Sequence, residues 1–129
     1  MATVVLVHGA WHGGWCWERV VAPLEHAGHT VLTPTLTGLG DRAHLVSPLI
    51  GLDTHIEDVV ACLDYAASTE VVLLGHSYGG QVIAGVASRR PAAIRRLLYL
   101  DAFLPDDGDC AIDLQPPQVA RHYRESVAE

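Results

Sequence analysis

Glu70-Val71-Val72-Leu73-Leu74-Gly75-His76-Ser77-Tyr78-Gly79-Gly80-Gln81-Val82-Ile83-Ala84-Gly85-Val86-Ala87 is the stretch whose reading decides the fold. Four consecutive branched apolar residues, Val71 to Leu74, suit a strand covered on both faces, and Gln81 to Ala87, rich in Ala, Val and Ile without a breaker, suits a buried helix. Between them stands Gly-x-Ser-x-Gly. A serine on a tight turn between a strand and a helix has its hydroxyl raised above the strand ends at a helix N-terminus, the arrangement of a nucleophile elbow. Gly75 and Gly79 remove side chains that would collide with such a turn, and Gly80 lets the helix approach the sheet. The competing explanation is a glycine-rich strand-to-helix turn with an incidental serine; a four-residue apolar strand before the motif and a helix after it favour the catalytic one. Ser77 is therefore the candidate nucleophile.

The rest of the composition narrows the chemistry. The 129 residues suffice for one core, and half of them are apolar. Fifteen acids face eight bases, giving a formal charge of -7, and every base is Arg. That balance gives no nucleic-acid footprint. Without Lys there is neither Schiff-base chemistry nor a phosphate-loop signature, since both need an amine. Cys16, Cys62 and Cys110 are odd in number and widely spaced, which reads as reduced thiols. No charged-then-apolar leader opens the chain and no apolar run reaches membrane-spanning length, so a cytoplasmic protein without a membrane partner is the expectation.

Thr3 to Val7 reads as a first buried strand, followed by the aromatic-rich run Trp11 to Trp17. Trp17, Val20, Val21 and Leu24 then recur at helical spacing, with Gly28 placed to end the helix and Pro23 expected to kink or restart it. Thr30 to Thr33 makes a second strand, and Pro34 to Gly51 is mostly loop. Asp53 or Thr54 is expected to open a helix, Thr54 and Glu57 forming a capping box, with Ile56, Val59, Val60 and Leu63 on one face. After the central strand and helix, Arg89-Arg90-Pro91 marks a stop, and Ile94 to Leu100 forms a fourth strand ending at Asp101. Pro105 to Pro117 reads as loop, and a polar helix covers Val119 to Val127.

Strands alternating with helices predict an α/β architecture with a parallel sheet and right-handed crossovers. An acyl-transfer serine needs backbone N–H donors for the developing oxyanion, one from the residue after it and one from a neighbouring loop. Tyr78 supplies the first. The loop His8-Gly9-Ala10 after strand one is the candidate for the second, which makes strands one and three neighbours and predicts the order 2-1-3-4.

With these residues placed, the chain resembles the α/β-hydrolases, and within them the esterase branch of bacterial carboxylesterases, plant methylesterases and hydroxynitrile lyases. Val5-Leu6-Val7-His8-Gly9-Ala10, His12-Gly13, Trp15-Cys16-Trp17 and the Ser77 elbow carry the likeness. Thr35 to Gly40 and Gly51 to His55 are similar to the bacterial members. The resemblance implies Ser77 as nucleophile, Ala10 and Tyr78 as oxyanion-hole amides, His8 and His12 as pins of the oxyanion loop, and Gly9 and Trp11 as pocket candidates. It implies a small-molecule ester as substrate, hydrolysed through an acyl-serine, and no cofactor. Gly9 separates esterase from lyase, since lyases of this branch tend to carry a Thr hydroxyl there. Members of the family have eight strands and place the acid and His downstream, so the expectation is a partial fold, truncated and lacking the catalytic His. Residues 1–104 are expected to form the N-terminal half of the core and 105–129 the start of a cap. The protein partner expected is a second copy, as a homodimer, or a complementing C-terminal half. A non-catalytic fragment retaining the fold is the remaining alternative.

Other signals carry less. Gly38-Leu39-Gly40-Asp41-Arg42-Ala43 fits a loose dinucleotide fingerprint but follows Pro34 and opens no good helix. The eight histidines lack metal-ligand spacing, and no metal is expected. Trp15 and Trp17 are expected to pack between helix and sheet, leaving Trp11 for the pocket. Arg89, Arg90, Arg95 and Arg96 read as a solvated helix end and strand start. Ser77, Asp101 and His122 stand in the order nucleophile, acid, base, but His122 lies on a polar stretch and is expected at the surface, away from Ser77.

Overall fold

Four parallel strands form one sheet in the order β2-β1-β3-β4, the order predicted from the needs of the serine. The computed structural model describes residues 1–128. The strands are β1 (Thr3–Val7), β2 (Thr30–Leu32), β3 (Val71–Ser77) and β4 (Ile94–Ala102), and the helices are α1 (Glu18–His26), α2 (Leu52–Ala66), α3 (Gly79–Arg89) and α4 (Pro117–Ala128). Val5 pairs with Leu73 and Val7 with Gly75 across β1 and β3, and Leu73 pairs with Leu97 across β3 and β4.

Because side chains alternate across a strand, the apolar residues of β1 and β3 divide between two faces. Val5, Val7, Val71 and Leu73 pack against Ile56, Val59, Val60 and Leu63 of α2 and against Val82, Ile83 and Val86 of α3. Val4, Leu6, Val72 and Leu74 meet Trp17 together with Val21 and Leu24 of α1. The central strands are thus covered on both sides, as the unbroken apolar runs require. β4 has one strand neighbour, and its Leu98 and Leu100 are 44% and 49% exposed.

Several local expectations are corrected. Trp15 does not pack under the helix but is 60% exposed. A 3-10 turn over Gly14–Trp17 is the reason: residues three apart eclipse one another in such a turn, so Gly14 and Trp17 share the buried side and Trp15 is turned out. Pro23 does not restart α1, which runs through it as one helix and ends three residues later. Only one backbone bond is forgone on a short, exposed helix. The Thr54–Glu57 capping box is not formed. α2 opens earlier, at Leu52, with the Gly51 N–H donating to the Thr54 hydroxyl at 3.2 Å, while Glu57 accepts from Arg89 at 2.9 Å. β4 also continues two residues beyond Leu100, and that extension matters for the site.

Candidate active site

The carboxyl ends of β3 and β4 and the loop after β1 meet around a cleft of about 570 Å³. Ala10, Trp11, Ser77, Tyr78, Asp101 and Phe103 line its floor, and Ala111, Ile112, Gln115, Tyr123 and Val127 close it from the segment after β4. Clefts of similar volume on α4 and beside Trp15 hold none of the residues at the ends of β3 and β4.

Backbone strain is concentrated in this cleft. Among the described residues four non-glycine residues have positive φ: Trp11 (60°), Ala67 (51°), Ser77 (53°) and Asp101 (43°). Ala67 ends α2 in the ordinary left-handed cap, and the other three line the cleft. Left-handed non-glycine residues persist only where surrounding structure over-determines them, and they gather at functional sites. At Ser77 the constraint is visible. A Cβ on Gly75 would stand 2.6 Å from the Gly79 carbonyl carbon, and one on Gly80 would collide with the Phe103 carbonyl oxygen. Glycine at both positions lets the turn fold back on its strand and lets α3 begin directly against the chain leaving β4.

Two tethers fix the direction of the backbone donors. The His8 Nε2 accepts the Leu36 N–H at 3.0 Å, so the ring proton is on Nδ1, which donates to the Gly9 carbonyl at 2.8 Å. In a trans peptide the C=O and the following N–H point in opposite directions, so the bond to Gly9 O aims the Ala10 N–H. His12 Nδ1 donates to the Ala10 carbonyl at 2.8 Å and fixes the next peptide in turn. On the other side, the Phe103 N–H donates to the Ser77 carbonyl at 3.1 Å, and by the same geometry this aims the Tyr78 N–H away from Phe103. Among the described residues neither the Ala10 nor the Tyr78 amide has a protein acceptor. His8 is fully buried, and burial pushes its pKa below the ordinary histidine value, which keeps the ring in the neutral, tethering form.

The Tyr78 side chain is held as firmly as its backbone. His55 Nε2 donates to the Thr37 carbonyl at 2.9 Å, leaving Nδ1 to accept the Tyr78 hydroxyl at 2.8 Å. Thr37 is itself held by Asp58, which accepts its N–H at 2.6 Å and its hydroxyl at 2.7 Å. Burial pushes the Tyr78 pKa up to about 12, so the hydroxyl stays a donor. Sequence reasoning passed over His55. The available signal was a histidine four residues before Val59 on an otherwise apolar stripe, a position that demands a polar partner.

Of the residues singled out in the sequence, Ser77, Ala10, Tyr78 and Trp11 share the cleft, with the Trp11 ring 5.6 Å from that of Tyr123. Gly9 stands behind Ser77, outside the cleft lining, and a Cβ there would be 2.9 Å from the Ser77 Cβ. His122 is exposed and also lies outside the lining, although its neighbour Tyr123 belongs to it. Arg89, Arg90 and Arg95 form surface ion pairs with Asp53 and Glu57, with Asp64, and with Glu70. Asp101, the acid of the order Ser77, Asp101, His122, does lie in the cleft. His76 pairs with Leu100 but Ser77 pairs with Ala102, so Asp101 is the extra residue of a β-bulge beside the serine.

A family model described as "Alpha/beta hydrolase family" matches residues 4–128. The chain is 53% identical over 127 residues to a carbendazim hydrolyzing esterase of Nocardioides sp. (strain SG-4G), covering 95% of this chain and 52% of the relative. It is 38% identical over 103 residues to an alpha-hydroxynitrile lyase of Arabidopsis thaliana, covering 79% of this chain and 40% of that protein. Among solved structures, an extracellular alpha/beta-hydrolase from a Paenibacillus species superposes with a TM-score of 0.89 at 31% identity, over 97% of this chain and 50% of that one. The chain thus spans about half the length of the curated relatives it matches.

Proposed function

The chain belongs to the alpha/beta hydrolase family, and from that premise we propose that Ser77 is the nucleophile of a carboxylesterase-type site acting on a small ester. The observation that carries the reading is the pairing of a strained serine with two unpartnered, tethered amides around one cleft. The Ser77 hydroxyl attacks the ester carbonyl, and the Ala10 and Tyr78 N–H groups receive the charge that develops on its oxygen. Because both peptides are fixed before substrate arrives, no reorganisation is needed at the moment of reaction. The alcohol departs with the proton taken from serine. Water then adds to the acyl-Ser77, releasing the acid and restoring the hydroxyl. The proton transfers require a base within reach of Ser77, and the cleft lining of the described residues contains no histidine.

Hydrolysis is favoured over the lyase reaction by Gly9. A side chain at that position presses on the Ser77 Cβ and the His76 carbonyl, so a Thr there, the residue the resemblance associates with lyases, requires a rearranged wall behind the nucleophile. Residues 1–104 are read as the core that carries the nucleophile, and the segment from 105 onward as the start of a cap. A short-chain p-nitrophenyl ester assay with imidazole supplied in solution tests the proposal. Imidazole-dependent turnover above the protein-free rate, lost in Ser77→Ala, is expected; equal turnover by the Ala variant would remove Ser77 from the mechanism.

A further inference from the structure

Of the three strained residues in the cleft, Asp101 has no part in the reaction just described. The register slip beside Ser77 leaves it unpaired in the sheet, and its φ of 43° lies where aspartate and asparagine are tolerated better than other non-glycine residues. It is exposed, makes no ion pair among the described residues, and lines the cleft next to the serine. The rest of the lining is neutral: aromatic rings from Trp11, Phe103 and Tyr123, aliphatic side chains, and the amide of Gln115. Among the described residues no arginine, lysine or histidine lines the cleft. Asp101 is the one charged side chain that the described residues contribute to the cleft lining, and a carboxylate among neutral groups sets the sign of the local potential.

We propose that Asp101 is a specificity-determining residue, a charge filter that admits neutral and cationic esters, rejects anionic ones, and repels the carboxylate left by deacylation. The inference rests on the reading of Ser77 as the nucleophile of the same cleft. Like charges a few ångströms apart in a solvated cleft repel by about threefold to tenfold in affinity, enough to bias both substrate choice and product release. The bulge is what brings the charge there: with regular pairing, Asp101 would occupy a ladder position opposite Ser77 instead of being left over between two of them.

Benzamidine, benzamide and benzoate share a ring and a size and carry charges of about +1, 0 and -1 at neutral pH. Titrated into the ¹⁵N-labelled chain at physiological salt, with the Ala10 and Tyr78 amide resonances as readout, they are expected to bind in that order, each step about threefold to tenfold. Asp101→Asn keeps the left-handed preference and removes the charge. In that variant benzamide should bind as before and the three affinities should converge to within about twofold. The contribution of the overall charge of -7 is common to both proteins and cancels from the comparison. Benzoate binding as tightly as benzamide, the same ranking surviving in Asp101→Asn, or no probe moving either amide would each overturn the filter. None of these outcomes bears on whether Ser77 is nucleophilic, which the esterase assay reads separately.

Discussion

β3 and β4 lie side by side, and each carries a residue with left-handed φ at its carboxyl end, Ser77 at 53° as the last residue of β3 and Asp101 at 43° one residue before the end of β4. Their surroundings differ. β3 is paired on both edges and covered on both faces, and its end is locked by the Gly75 and Gly80 contacts and by the bond from Phe103 N–H to Ser77 O. β4 is paired on one edge, half-exposed at Leu98 and Leu100, and accommodates its left-handed residue by a slip in register. The group proposed to react is therefore built on the rigid strand, and the group proposed to select is built on the edge. Reaction geometry tolerates little displacement, whereas a charge acts over several ångströms, so the two positions can tolerate different degrees of constraint.

Substitutions should follow that asymmetry. The largest effect is expected at Gly80→Ala, where the new methyl meets the Phe103 carbonyl oxygen and must part α3 from the end of β4. A loss of about 3 kcal/mol in urea unfolding is expected, together with loss of imidazole-dependent turnover, because the same movement breaks the tether that aims the Tyr78 N–H. A Gly80→Ala protein as stable as the parent would show that the elbow is not over-determined.

Removing the other tether should cost somewhat less. His8→Leu leaves the Leu36 N–H and the Gly9 carbonyl without their partner, an expected loss of about 2 kcal/mol. The pH dependence is separable from this. The folded pKa of His8 is lowered, so the unfolded state takes up its proton first and stability should fall as the pH drops from about 6.5 toward the folded value. Thermal unfolding across that window should show a shallower decline in His8→Leu; an identical acid slope in both proteins would take His8 out of the linkage.

The smallest effect is expected on the edge strand. Leu100→Thr, at a half-exposed position on β4, should change stability by no more than about 0.5 kcal/mol and leave turnover unchanged. A loss comparable to that of Gly80→Ala would mean that the edge is as constrained as the centre.

The sequence made the rigid half of this comparison legible and left the other half hidden. Val71 to Leu74 and the glycines around Ser77 state a local requirement, and the need for a second oxyanion donor led from there to the strand order. The pin roles of His8 and His12 come from the family resemblance, and the structure shows their carbonyl partners one and two residues away. The bulge at Asp101 and the bond from Tyr78 to His55 depend on registers set between distant segments, and no local pattern specifies them. The turn at Trp15 escaped for a different reason, since a three-residue period over four residues is too short to compete with the helical spacing beside it.

The central claim, that the strained serine at the end of β3 is the reactive one, is tested most directly by covalent capture. The chain is incubated with a fluorophosphonate in the presence of imidazole, and the adduct is placed by fragment-ion mapping among Ser47, Ser68, Ser77, Ser88 and Ser126. An activated nucleophile predicts a single adduct, on Ser77, absent from Ser77→Ala. An adduct distributed over the other serines, or one of equal yield in Ser77→Ala, would contradict the account.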